Sequence, residues 1–341
     1  MIPGDAMDIP FPLTALKLKF LVRATSDIRL GGLKAGNFLR GALLNVMSRA
    51  TCSYTGSAYE HRRVPDPTHV AHCPVCWLIQ SNEKPGNERR GYALIPPIHP
   101  PLVIHEGEQF SFHITLFGEA IKYLPYFVLA VPEAGKIGMG IGRGTFRLHA
   151  ILAEQEPFCL PPFGSLYEVM KPGESLVHVP DRYLDHSALK GMAVQWLDEK
   201  DGTFLPLKFE FLTPLRLIWQ EQLVKTVDFF IFFSRLLERV DMLATRMANA
   251  KPRPKEERDQ LYTTASKVRI VQNDVKWMEV RSGSVRTGRY TWVSGLVGSI
   301  VCMAQPQVWK ELLPWLFWGT LTQVGKDVVK GNGVFRISKV G

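Results

Sequence analysis

This sequence has little cysteine, a shortage of acidic residues and no long apolar run. Its five cysteines (Cys52, Cys73, Cys76, Cys159 and Cys302) in 341 residues are too few, and odd in number, for a disulfide framework. A reduced, cytoplasmic setting is the simpler expectation. No stretch reaches the roughly 18 apolar residues that a membrane span needs. The nearest, 227–233 and 312–317, are short and bounded by charge or broken by Pro314, so no membrane partner is expected. The opening MIPGDAMDIPFP lacks the basic and apolar regions of a secretory signal. No G-x-x-x-x-G-K-[ST] phosphate loop occurs, and Gly138, Gly140, Gly142 and Gly144 are spaced wrongly for a dinucleotide fingerprint. Against 41 Lys and Arg stand only 32 Asp and Glu, a net charge of +9. That surplus points to a polyanionic partner, nucleic acid first and an acidic membrane second.

The patterning is that of an α+β protein. Residues 16–24 alternate as a half-buried strand, and 35–50 place Phe38, Leu39, Ala42, Leu43, Val46 and Met47 at helical spacing. Residues 53–101 show little periodicity and read as a long irregular insertion. A strand at 109–117, an apolar helix over 120–130 that Pro125 would kink or confine to its C-terminal part, a glycine loop at 135–144 and a strand at 146–152 follow. The second half repeats the plan. A strand lies at 205–217, a helix at 227–248, a charged Pro-bearing loop at 250–260, and strands at 274–281 and 290–302. A helix at 307–324, a glycine loop at 325–333 and a strand at 334–338 complete it. The stretches YLPYFVLAVPEAGKIGMGIGRGTFRL and LPWLFWGTLTQVGKDVVKGNGVFRI share apolar helix, Gly-Lys, glycines, aromatic and strand in register. The duplicated unit fits two tandem ferredoxin-like (RRM-like) domains with glycine-rich loops. Their expected limits are 1–155, with a cysteine-bearing insertion over about 52–105, a connector 156–203, and 204–341.

Three groups of residues could carry chemistry. Lys136 and Arg143 flank the first glycine loop. In the second, Lys326 and Lys330 sit among Gly325, Gly331 and Gly333. Exposed amides beside cations suit a phosphodiester backbone; a helix C-cap and tight turn is the plainer use. Between Lys17 and Arg49 there are seven Lys or Arg against one acid, Asp27, and Arg281, Arg286 and Arg289 run up to Tyr290 and Trp292. Cations interleaved with aromatics suit RNA, although a charged strand edge looks similar. Cys52 and the C-x-x-C pair Cys73 and Cys76, with His69 or His72, could supply the four ligands of a structural Zn²⁺. His72 is taken as the fourth. Packed reduced thiols or a redox pair are the alternatives, and Cys159 and Cys302 read as ordinary buried thiols.

Several segments together resemble one family. They are Leu39, Arg40, Gly41, Ala42 and Leu43 with the cysteines that follow; Phe117 and Gly118; 138–146; FLTPLRL at 211–217; 277–289 with GLVG at 295–298; and GKDVVKGNG at 325–333. In that order they resemble the CRISPR precursor-RNA processing endoribonucleases of the repeat-associated RNA-binding (RAMP) superfamily. The resemblance implies CRISPR repeat RNA as partner, both precursor and guide, with other CRISPR effector subunits. It implies cleavage within the repeat by 2′-hydroxyl attack, without a catalytic cofactor. Such chemistry needs a base, an acid and cations on the transition state. Family members often carry a catalytic His on or near the first helix, whereas the first His here is His61. Lys34 and Arg40 are therefore the candidates for charge stabilisation, and Tyr54 and His61 for proton transfer. A non-catalytic RNA-binding subunit is the alternative.

Overall fold

Alternation shapes the first strand. In β1 (Ala15–Ala24) Leu16, Leu18, Phe20 and Val22 point into one core, and Phe20 stacks on Phe112 with ring centroids 5.2 Å apart. α1 (Ala35–Thr51) buries Leu39, Leu43, Val46 and Met47 against the same core. Next come α2 (Pro67–His72), β2 (Tyr92–Ile95), β3 (Gln109–Phe117), α3 (Leu124–Ile137) and β4 (Phe146–Glu154). The computed structural model describes residues 11–52, 67–80, 90–157, 159–160, 166–174, 176–197, 203–283 and 290–340.

The four main strands lie in the order β2–β3–β1–β4, all antiparallel, with Leu18 opposite both Ile114 and Ala153. With the helices after the first and third strands, this is the ferredoxin-like plan. Of the two effects expected of Pro125, a kink or a helix confined to the later residues, the structure shows the second. Pro125 occupies the first turn of α3, where a missing N–H leaves nothing unpaired, and the 3₁₀ turn Gly118–Tyr123 leads in.

The stretch 156–203 serves both domains. β5 (Cys159–Leu160) pairs in parallel with the last strand of the second sheet, and β6 (Leu166–Met170) returns to the first sheet beside β4. α4 (His186–Trp196) is capped by Asp185, whose Oδ1 accepts from the Ala188 N–H at 2.7 Å. Its Leu189, Ala193 and Trp196 join the core of the second domain.

That domain runs β7 (Leu205–Leu215), the hairpin β8 (Leu217–Trp219) and β9 (Gln222–Val224), α5 (Phe229–Met247) and α6 (Lys255–Ala265). It continues through β10 (Arg269–Asn273), β11 (Lys276–Met278), β12 (Arg281–Gly283), β13 (Tyr290–Trp292) and β14 (Gly295–Ala304) to α7 (Pro306–Thr322) and β15 (Phe335–Lys339). The sheet order β10–β14–β7–β15 repeats that of the first domain, with β5 added at the edge. Its core is aromatic: Phe209, Phe211, Phe232, Phe233, Trp309, Trp318 and Phe335 are all buried. Residues 255–260, expected as loop, open α6. Pro254 precedes the helix, and Glu256 and Glu257 stand in its first turn, where acids favour a helix N-terminus. Charge density had concealed that start. Among the described residues no helix is long and apolar enough to cross a membrane.

Candidate nucleic-acid interface and metal cluster

The two domains meet where α1 begins. Gly31 and Gly32, at φ 67° and 60°, turn the chain into the helix. Lys34 takes the exposed N-cap position, and no acid lies in the first turn. The helix N-terminus therefore adds partial positive charge to that of Lys34. Gly36 is pressed against the second glycine loop: a Cβ there would lie 2.1 Å from the Lys330 carbonyl oxygen. Val328 and Val329 of this loop are buried in the core of the first domain. The Gln323 side-chain amide, at the end of α7, donates to the Leu94 carbonyl at 2.6 Å. Arg40 lies one turn after Gly36 on the same helix face, and its Nε is buried without a hydrogen-bond partner among the described residues. The structure thus brings the first turn of α1, through Gly36, onto the glycine loop at Lys330 and Gly331, with Lys34 and Arg40 on either side of Gly36 in the chain.

This contact gives a prediction with an inverted sign. Gly→Ala inside a helix ordinarily stabilises by about 1 kcal/mol. Gly36→Ala is instead expected to destabilise by about 1–3 kcal/mol, because the methyl must displace a backbone carbonyl. Denaturant unfolding measures it, and a stabilised variant would show that the helix and loop do not touch.

Most of the amides in the second glycine loop, and several in the first, serve the fold, which is the plainer of the two uses the sequence allowed. In the second, the N–H groups of Lys326, Lys330, Gly331, Asn332 and Gly333 bond to the carbonyls of Arg216, Asp327, Val328, Asp327 and Pro214. Gly325, at φ 90°, lets its backbone close on the Arg216 carbonyl. In the first loop Met139 and Ile141 donate to Gly144 and Arg29. What faces outward is side chain. Arg143 is exposed at φ 56°, Lys136 pairs with Glu133 at 2.6 Å, and Lys330 pairs with Asp327 at 2.5 Å.

The basic first strand also needs correction. Lys17 is not on a solvated face but 2% exposed, 2.6 Å from Glu154. Lys19 lies 3.7 Å and His113 Nε2 3.3 Å from the same carboxylate. Burial pulls the Glu154 carboxyl upward, but the His113 hydrogen bond and the Lys17 charge win and hold it well below its ordinary value. Burial, outweighing Glu154, holds the His113 imidazole below its usual range. Only the fold brings these four residues together; β1, β3 and β4 pair Lys17 with Glu154 and Lys19 with His113. Alternation alone placed the lysines outside and gave no sign of their partner.

Arg281 is exposed on β12, opposite the exposed Trp292 of β13. Arg286, Arg289, Tyr54 and His61 lie outside the described residues.

At the far end of α1, Cys52, His69, Cys73 and Cys76 gather with one ligand atom each, all within 4.8 Å of one another. The three cysteines are buried. His69, not His72, completes the set. His72 is exposed, and its Nδ1 lies 2.8 Å from the Thr68 carbonyl of its own short helix. The reason is spacing: His69 lies one helical turn before Cys73, and its carbonyl accepts the Cys73 N–H at 2.8 Å. Burial and the neighbouring thiols push the Cys76 thiol above its ordinary range. Three soft sulfurs and an imidazole are a donor set that fits a transition-metal ion. Cys302 is a lone buried thiol, as expected, which burial pushes up to about 12.

Two antiparallel sheets of the same strand order, with the glycine loop of the second domain against the first helix, define the class of tandem ferredoxin-like α+β proteins. Comparison with known proteins narrows the class. Residues 209–335 match the family model of the CRISPR-associated endoribonuclease Cas6, and residues 11–179 match a family model described as an N-terminal domain. The likeness to the Cas6 family thus rests on the second domain. Among solved structures, a Cas6 product complex superposes with a TM-score of 0.54 at 13% identity, over 96% of this chain and 99% of that one. Thermus thermophilus Cas6 gives 0.54 at 12%, over 95% and 98%. The partial Cas6-RT-Cas1–Cas2 complex gives 0.61 at 12%, over 96% of this chain and 46% of that one. At such identities the likeness is one of fold. No curated protein sequence matches the chain significantly.

Proposed function

We propose that this chain processes precursor CRISPR RNA by cutting within its repeats, with the scissile phosphate bound where α1 meets the second glycine loop. The observation that carries this reading is the Arg40 Nε, buried and without a hydrogen-bond partner among the described residues, one helical turn after Gly36, in a chain whose second domain matches a family model of endoribonucleases. A buried cationic donor without an acceptor is costly unless a ligand supplies one.

In the proposed reaction the 2′-hydroxyl beside the scissile phosphate attacks the phosphorus in line. The 5′-oxygen leaves, giving a 2′,3′-cyclic phosphate and a 5′-hydroxyl. The nucleophile belongs to the substrate, so no catalytic metal is required. Lys34 and Arg40 stabilise charge on the phosphorane-like transition state. Tyr54 and His61, between Cys52 and His69 in sequence, are the candidates for base and acid. Lys136, Arg143, Arg281, Arg286, Arg289, Lys326 and Lys330 hold the RNA through their side chains, while Gly325, Gly331 and Gly333 shape the loop. Other CRISPR proteins, of the kind joined in the Cas6-RT-Cas1–Cas2 complex, are proposed partners. A metal in the cysteine cluster, read as Zn²⁺, would serve structure only.

The test compares repeat RNA with the same RNA carrying a 2′-deoxy at the cut, in excess EDTA. Cleavage of the first alone supports the proposal. Tight binding with neither cut assigns a binding-only subunit, the reading that the absence of His from α1 favours.

A further inference from the structure

We infer that Cys52, His69, Cys73 and Cys76 form a closed, four-coordinate Zn²⁺ site that fastens the end of α1 to the segment after it. The inference develops the structural reading of the cluster and is independent of the nuclease assignment. Zinc bound by three thiolates and an imidazole has Zn–S bonds of about 2.3 Å and a Zn–N bond of about 2.0–2.1 Å. At tetrahedral angles these lengths place neighbouring sulfurs about 3.8 Å apart and sulfur and nitrogen about 3.5 Å apart. Here Cys52 Sγ lies 3.6 Å from Cys76 Sγ and 3.5 Å from His69 Nε2. Two of the six edges thus have the lengths of a zinc tetrahedron, and all four ligand atoms lie within 4.8 Å of one another. The sulfur–sulfur distance is too long for a disulfide, whose sulfurs are about 2.05 Å apart.

The donors leave no position for a substrate or water, which marks a structural rather than a catalytic site. The ligands arrive from three places. Cys52 is the C-cap of α1, where its N–H still bonds to the Ser48 carbonyl at 3.1 Å. His69 comes from α2, and Cys73 and Cys76 from the turn after it, where the Trp77 N–H closes on the Cys73 carbonyl at 2.8 Å. The three cysteines are buried, and Trp77, next in sequence to Cys76, packs on Tyr123 with centroids 5.0 Å apart while Lys122 Nζ lies 5.3 Å from the Trp77 ring centre. Val75 and Leu78 are buried in the core of the first domain. The site thus ties a helix end and a short irregular segment into one core, where little regular structure would otherwise hold them.

The experiment is metal analysis of full-length protein purified without chelator, followed by exchange with Co²⁺. We expect about one zinc per chain and, with Co²⁺, the absorption of a tetrahedral thiolate complex. A thiol-blocking mercurial should release the zinc from the wild-type protein, so the result does not depend on a variant that folds. His72→Ala should keep its metal, and His69→Ala should lose most of it and melt at a lower temperature. A trace of zinc with no Co²⁺ uptake by the reduced protein overturns the site, as does metal retained by a Cys52→Ser/Cys76→Ser variant. Cleavage is scored on the same preparation: zinc bound without cleavage sinks the nuclease reading alone, and cleavage without zinc sinks this one alone.

Discussion

Arg40→Ala is expected to slow single-turnover cleavage of repeat RNA by about 100-fold or more, the usual cost of removing one preorganised donor from a developing oxyanion. RNA affinity should fall far less, because phosphate binding is spread over many cations. Stability should hardly change, since the Arg40 Nε gives up no hydrogen bond within the described protein. Arg40→Lys keeps the charge but loses the planar fork, so an intermediate rate is expected. Lys34→Ala should show a smaller defect, as its exposed ammonium acts through solvent. A wild-type cleavage rate in Arg40→Ala would move charge stabilisation to another part of the protein.

The second large effect is on stability. Glu154→Gln leaves Lys17, 2% exposed, without its counter-charge and is expected to cost about 3–5 kcal/mol. The wild-type protein should also lose stability on acidification in two stages. His113 is held below its ordinary value of 6.5, so unfolding takes up a proton and stability falls as the pH drops below that value. Glu154 is held well below 4.5. Its contribution is complete above that pH and is lost as the carboxylate is forced to protonate below it. Thermal melts across this range should show both limbs, and Glu154→Gln should flatten the lower one. A flat profile between neutral pH and the carboxylate range would contradict the buried neutral imidazole.

The repeat was legible because each half carries its own local signals. Alternation marked β1 and β3, a 3.6-residue period marked α5, and the shared Gly-Lys marked the ends of α3 and α7. The site was legible only in outline. Sequence could list Lys34, Arg40 and Lys330 as cations, but it could not say that Gly36 brings α1 onto the second loop, because that contact joins residues almost 300 positions apart. It also misjudged what burial does to charge. Lys17 and Lys19 looked like neighbours on one wet face, until β4 supplied Glu154. The glycines allowed either an anion cradle or a tight turn, and the five bonded amides of the second loop favour the turn. Near the cysteines, spacing allowed either histidine, and only the turn from α2 into Cys73 selects His69.

Val328, Val329 and β15 come late in the chain, yet they complete structures begun early. The two valines are buried in the core of the first domain, and β15 pairs with β5, a strand that precedes the second domain in the chain. On a ribosome, the core of the first domain therefore lacks Val328 and Val329 until the end of the second has emerged. The junction that holds Lys34, Arg40 and the glycine loop exists only after that last step. A truncated or still-growing chain carries every cation proposed to bind RNA but has no assembled place to cut it.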